Sequence, residues 1–110
     1  MEISTEKEKN CVVVSVEGKI DAVTSPAFEK SLAELIEQGE KNLLLNFNRL
    51  EYISSAGLRS ILSTAKQLKL KEGKLLFAGL QGPVKDVFKI SGFGSIFKLY
   101  DTKEDAVKEL

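Results

Sequence analysis

Two adjacent hydroxyls, Ser54 and Ser55, stand inside Tyr52-Ile53-Ser54-Ser55-Ala56-Gly57-Leu58. They follow the apolar run Leu43-Leu44-Leu45-Asn46-Phe47 and open an amphipathic stretch that reaches Leu70. A buried strand therefore hands over to a helix at these two residues. The first turn of a helix presents N–H groups without intrahelical partners and a partial positive charge. That setting suits an anion, or a side chain that acquires one. Three uses are open to the pair: phosphorylation, phosphate binding and simple N-capping, with Gly57 easing a tight turn. The P-loop pattern G-x-x-x-x-G-K-[ST] is absent, and no lysine adjoins the serines. The nucleophile elbow G-x-S-x-G is absent as well. The chain has no histidine, which removes Ser-His and Cys-His nucleophile pairs, histidine acid/base catalysis and most zinc sites. A phosphorylation switch needs no base of its own, and it would add about −1.5 to −2 charge at pH 7.

The remaining candidates are fewer. Asp21 and Thr24 lie in a second strand-to-helix loop, Gly18 to Thr24, where turn and cap chemistry competes with a partner-contact role near Ser55. Ser91-Gly92-Phe93-Gly94 is glycine-rich but follows a helix, so it reads as a C-cap and turn, with Phe93 over the core or at a surface contact. Cys11, the single cysteine, cannot form an internal disulfide and is expected as a small core or edge residue. Acidic residues are scattered, so neither a metal site nor a cofactor is expected, and the chain is not expected to be an enzyme.

The elements that must position these residues follow from periodicity. Residues 2–7 and 11–17 read as two strands around the turn Glu8-Lys9-Asn10, the second ended by Gly18. Ser25-Pro26 starts a helix with Ser25 as N-cap, and Phe28, Leu32, Leu35 and Ile36 form its apolar stripe before Gly39. Leu43 to Phe47 is a strand covered on both faces, with Asn46 to Gly57 as the loop into the next helix. That helix carries Leu58, Ile61, Leu62, Ala65 and Leu68 and stops near Gly73. Leu75 to Ala78 is a strand, and Gly82-Pro83 starts a helix ended by Gly92. Ile96 to Tyr100 is a last strand, and Thr102 caps a short final helix. The order ββαβαβαβα predicts a single α/β domain over residues 1–110, with a mostly parallel sheet, an N-terminal antiparallel hairpin and about four helices. Functional loops gather at the carboxyl ends of such strands, so the Asp21 and Ser55 loops are expected at one end.

Bulk properties are those of an ordinary globular domain rather than of a nucleic-acid or membrane protein. The chain of 110 residues has 16 Lys plus Arg against 16 Asp plus Glu, so it lacks the basic surplus that counterion-release binding needs. Lys66, Lys69, Lys71 and Lys74 cluster, but they read as a solvated helix face and its C-terminal end. No apolar run approaches the roughly 20 residues that span a bilayer, and no signal-peptide pattern opens the chain. A cytoplasmic location without membrane insertion is expected.

Taken together, Gly18-Lys19-Ile20-Asp21-Ala22-Val23-Thr24, Leu50 to Leu58, and Ser91-Gly92-Phe93 before Ile96-Phe97 resemble the STAS domain of bacterial anti-sigma factor antagonists and sulphate-transporter tails. The resemblance covers essentially the whole chain, and with no transporter attached it favours the stand-alone antagonists. It implies a protein that binds an anti-sigma factor kinase, releases a sigma factor, is switched off by serine phosphorylation and is reset by a phosphatase. The family's phosphoacceptor position falls on Ser55. Asp21 and Thr24 match the first surface loop, Asn46 stands where an acidic residue is common, and Gly57 and Leu58 match the helix start. Ser54 stands where the family usually has Asp, which makes it an alternative acceptor. That departure also keeps open a non-phosphorylated role as a scaffold or accessory subunit of a signalling or transport complex.

Overall fold

In Val12-Val13-Val14-Ser15-Val16, successive side chains point to opposite faces, and the first three residues are apolar on both. Such a segment needs cover on two sides and a neighbour along each edge. The computed structural model, which describes residues 1–110, provides both. The elements are β1 (Glu2–Lys7), β2 (Val12–Ile20), α1 (Ser25–Glu37), β3 (Asn42–Ile53), α2 (Ser55–Leu70), β4 (Lys74–Ala78), α3 (Gly82–Ile90), α4 (Phe93–Ile96), β5 (Leu99–Tyr100) and α5 (Lys103–Lys108). The strands form one sheet in the order β1-β2-β3-β4-β5. β1 pairs antiparallel with β2, and every later pairing is parallel. This is the α/β class with the hairpin and mostly parallel sheet that the sequence predicts. No helix is long and apolar enough to cross a membrane.

Parallel neighbours in sequential order require crossovers of one hand, which gather α1, α2, α3 and α4 on one face of the sheet. There Phe28, Leu32 and Ile36 of α1, Ile61 and Leu68 of α2, and Val84 and Phe88 of α3 pack on Val12, Val14, Leu43, Leu45, Phe47 and Phe77. A chain of tilted and edge-on aromatic pairs links Phe47, Phe77, Phe88, Phe93 and Phe97 at centroid distances of 5.1 to 6.4 Å. Pairs of this kind are worth about 0.5–1.5 kcal/mol beyond their burial. Phe93 therefore belongs to the core and is not a surface contact. The other face buries Cys11, Val13, Leu44, Leu76 and Ala78 under Ala106 of α5. α5 is short, so Ser15, Asn46 and Asn48 continue that face without cover and are polar accordingly.

Several boundaries differ from the periodicity. β2 does not stop at Gly18 but passes through it, at φ +97°, to Ile20. β3 does not end at Phe47 but runs to Ile53. It takes seven residue steps, Asn46 to Ile53, where β2 takes five, Ser15 to Ile20. The two extra residues are accommodated as register shifts, which break strict alternation and make Asn48-Arg49-Leu50-Glu51 read as a loop. The expected loop from Asn46 to Gly57 thus shrinks to Ser54. Ser25 is not the N-cap of α1: Thr24 holds that position, and Ser25 is the first helical residue and buried. The expected strand from Ile96 is shortened to Leu99–Tyr100, because left-handed Gly92 lets Phe93 to Ile96 form the helical turn α4, closed by Phe97 N–H to Phe93 C=O at 2.9 Å.

The two long helices end alike, with one difference. After α1, Gly39 is left-handed, and Gly39 and Glu40 donate to Ile36 and Leu35 carbonyls. After α2, Glu72 and Gly73 donate to Lys69 and Leu68 carbonyls in the same Schellman pattern. Here the left-handed residue is Glu72, at φ +59°. The neighbouring glycine serves another need: a Cβ on Gly73 would lie 2.2 Å from the Lys41 carbonyl oxygen. A side chain in the left-handed region is unfavourable, so Glu72→Gly should stabilise the protein by about 0.5–1 kcal/mol. Urea denaturation would read this as a higher midpoint at unchanged slope.

Candidate functional site

The carboxyl ends of β2 and β3 lie level, with Ile20 opposite Ile53. Beyond them the chain is held by one backbone bond, Ser54 N–H to Ile20 C=O at 2.9 Å. The residue after Ile20 is Asp21 and the residue after Ser54 is Ser55, so the two expected loops meet at the sheet's end.

Asp21 and Thr24 organise the first loop. Asp21 Oδ1 accepts the N–H groups of Val23 at 2.9 Å and Thr24 at 3.0 Å. Thr24 Oγ1 accepts the Asp21 N–H at 2.9 Å, and its own proton faces the Lys19 carbonyl at 2.9 Å and Asp21 Oδ1 at 3.2 Å. The Thr24 N–H above all holds the Asp21 carboxyl below its ordinary value; desolvation opposes it, and the Val23 N–H, the Thr24 hydroxyl and the Lys19 charge add to the lowering. This closed turn leaves Val23 at its tip, 86% exposed.

Ser54 and Ser55 differ in their surroundings. Ser54 has the extended backbone of an N-cap; its Oγ accepts the Gly57 N–H at 3.4 Å and its carbonyl accepts the Leu58 N–H at 3.0 Å. Ser55 is the first residue of α2, is exposed, and its hydroxyl makes no hydrogen bond within the protein. Gly57 is buried, and a Cβ there would lie 2.6 Å from Ile53 Cγ1 and 2.8 Å from Ile20 Cγ2. Its missing side chain lets α2 start directly against the ends of β2 and β3, which fixes where Ser55 emerges. Leu58 is half-buried and packs on the core.

Asn46 is separate. It lies mid-strand opposite Ser15 and Ala78, on the face that α5 leaves open, and its Nδ2 points to Ser15 Oγ at 3.4 Å. Five strand steps part its level from that of Ile53, roughly 17 Å, so the fold does not bring it to Ser55. Three residues were missed by motif reasoning and do surround the site. Val23 and Tyr52, the latter 44% exposed and opposite Lys19, present apolar surface at the same end of the sheet. Arg59 lies four residues after Ser55, a helical spacing already legible in the sequence. Cys11 is buried near the other end of β2, where burial first and the Glu8 charge second push its thiol up.

Two outcomes test this geometry. Gly57→Ala should cost about 1–3 kcal/mol through overpacking against Ile20 and Ile53, measured by denaturant unfolding. A carboxyl depressed in the folded state adds stability above its unfolded pKa and loses it as pH falls through the folded one. Thermal melts should therefore separate wild type from Asp21→Asn near pH 7, and the two should converge as pH drops below about 4.

Comparison with known proteins places this chain in a family context. A family model described as the STAS domain matches residues 2–106. A Bordetella bronchiseptica protein provisionally named anti-sigma factor antagonist BtrV is 37% identical over 106 residues, covering 96% of this chain and 91% of its own. An anti-sigma factor antagonist from Mycobacterium paratuberculosis superposes with a TM-score of 0.89 at 28% identity, over 98% of this chain and 92% of that one. The Bacillus cell fate determinant SpoIIAA, solved in its phosphorylated form, shares the fold with a TM-score of 0.77 at 23% identity, over 98% of each chain.

Proposed function

The chain belongs to the STAS-domain family, and on that premise we propose that it is an anti-sigma factor antagonist switched by phosphorylation of Ser55. The family is one of regulators rather than enzymes, and the role assigned here is binding. The observation that carries the reading is the division of labour at the head of α2. Ser54 is engaged as the cap, while Ser55 offers an exposed, unbonded hydroxyl beside the Asp21–Thr24 turn. The family's acceptor position falls on the same residue, and a neighbour of this fold is known in a phosphorylated form.

In the unmodified state, the surface of Asp21, Val23, Thr24, Tyr52 and Ser55 docks an anti-sigma factor, which then lets go of its sigma factor. Gly57 and Leu58 support that surface from beneath. A partner that also reached Asn46 would have to wrap onto the α5 face. The anti-sigma factor acts as the kinase: the γ-phosphoryl group of ATP passes to Ser55 Oγ, ADP leaves, and the hydroxyl proton is released. The added charge of about −1.5 to −2 must be desolvated for the partner to stay, so affinity falls. A phosphatase restores the hydroxyl by transferring the phosphoryl group to water, giving inorganic phosphate. Both steps take place in the cytoplasm.

Ser54 in place of the family's usual Asp favours a second reading, in which the serines only cap α2 and the chain is a constitutive scaffold or accessory subunit. One set of measurements separates the two. With the cognate kinase and ATP, the wild type should gain one phosphate by intact mass and Ser55→Ala none; modification persisting in Ser55→Ala but lost in Ser54→Ala would move the acceptor to Ser54. Ser55→Asp should weaken anti-sigma factor binding more than tenfold, about 1.4 kcal/mol. Equal binding by Ser55→Asp and wild type would support the scaffold.

A further inference from the structure

Arg59 and Ser55 leave α2 one turn apart on the same face, and both are exposed. Neither side chain has an intramolecular partner in the unmodified protein: Ser55 Oγ makes no internal hydrogen bond, and Arg59 belongs to none of the ion pairs. Glu29 lines the same α1–α2 groove as Arg59, yet its Oε2 accepts the Ser63 hydroxyl at 3.3 Å. The first turn of α2 contains no acidic residue. A phosphate on Ser55 would therefore meet a free guanidinium and no carboxylate in its own turn; the carboxylate of the adjoining loop, Asp21, has Oδ1 engaged by the Val23 and Thr24 N–H groups. The order also suits pairing, since an acidic group four residues N-terminal to a basic one is the better arrangement. A guanidinium presents a planar fork that matches two phosphate oxygens.

Resting on the assignment of Ser55 as the acceptor, we propose that Arg59 is the intramolecular clamp for its phosphate, drawing it along α2 and holding it as the dianion. Lys30, the other cation lining the groove, is one helix away and is the natural control. The clamp biases the modified state through this chain's own side chains, independent of the partner.

The test uses the full chain with phosphoserine incorporated at position 55 during translation, so no kinase is needed. Phosphorus NMR titration follows the second ionisation of the phosphate, near pH 6. Arg59→Gln should raise the proton affinity of the phosphate about twofold, Arg59→Lys should keep part of the wild-type value, and Lys30→Gln should leave it unchanged. The wild type should also melt above Arg59→Gln when phosphorylated and together with it when not. Identical titration of wild type and Arg59→Gln overturns the proposal, as does a shift that follows Lys30→Gln instead. A cognate kinase that leaves Ser55 unmodified would sink the switch without touching this measurement, which keeps the two failures distinct.

Discussion

The close approach of α2 to the ends of β2 and β3 is the constraint on which this site depends. At Gly57 there is room for a hydrogen and not for a methyl group, with Ile53 and Ile20 on either side of the missing Cβ. The Ser54 N–H bond to the Ile20 carbonyl locks the same junction through the backbone. Because Ile20 also leads directly into the Asp21 turn, one packed corner sets the level of both loops. The exposed hydroxyl of Ser55 sits on a rigid element whose position is over-determined, which is what a recognition site for a partner needs.

The two faces of the sheet are unequal, and this organises the rest of the molecule. Four helices and a chain of phenylalanines fill one face, while the other has only the short α5 over Cys11, Val13, Leu44 and Leu76. Where that cover ends, strand residues turn polar, as Ser15, Asn46 and Asn48 do. The polar interruption of β3 is thus a response to a half-open sheet face. It hides a continuous strand that carries the chain from the core to the site.

Charge would give the proposed switch its leverage. The chain carries equal numbers of acidic and basic residues, and the surface around Ser55 combines exposed Val23 and Tyr52 with a self-satisfied Asp21 turn. Such a surface is inexpensive to desolvate before modification and much less so after a dianion is added. Arg59, set one turn away on α2, would give that dianion a partner inside the chain.

The fold class, the antiparallel start, the helix stripes and the Ser54-Ser55 pair were all legible from local pattern, because period and capping chemistry are encoded residue by residue. The absence of histidine likewise removed most catalytic readings without any structure. Other features were not legible because they arise from partners distant in sequence. β3 extends to Ile53 only because β2 pairs with it through two register shifts, and Asn46 is removed from the site by the same extension. Phe93 and Phe97 become core because α4 folds them onto Phe88 and Phe77. Above all, local pattern left both serines open, and within the sequence only the family resemblance singled out Ser55, with Ser54 as the alternative. What only the tertiary structure decided is their surroundings: Ser54 Oγ accepts the Gly57 N–H as the N-cap, while Ser55, the first helical residue, is exposed and makes no hydrogen bond within the protein.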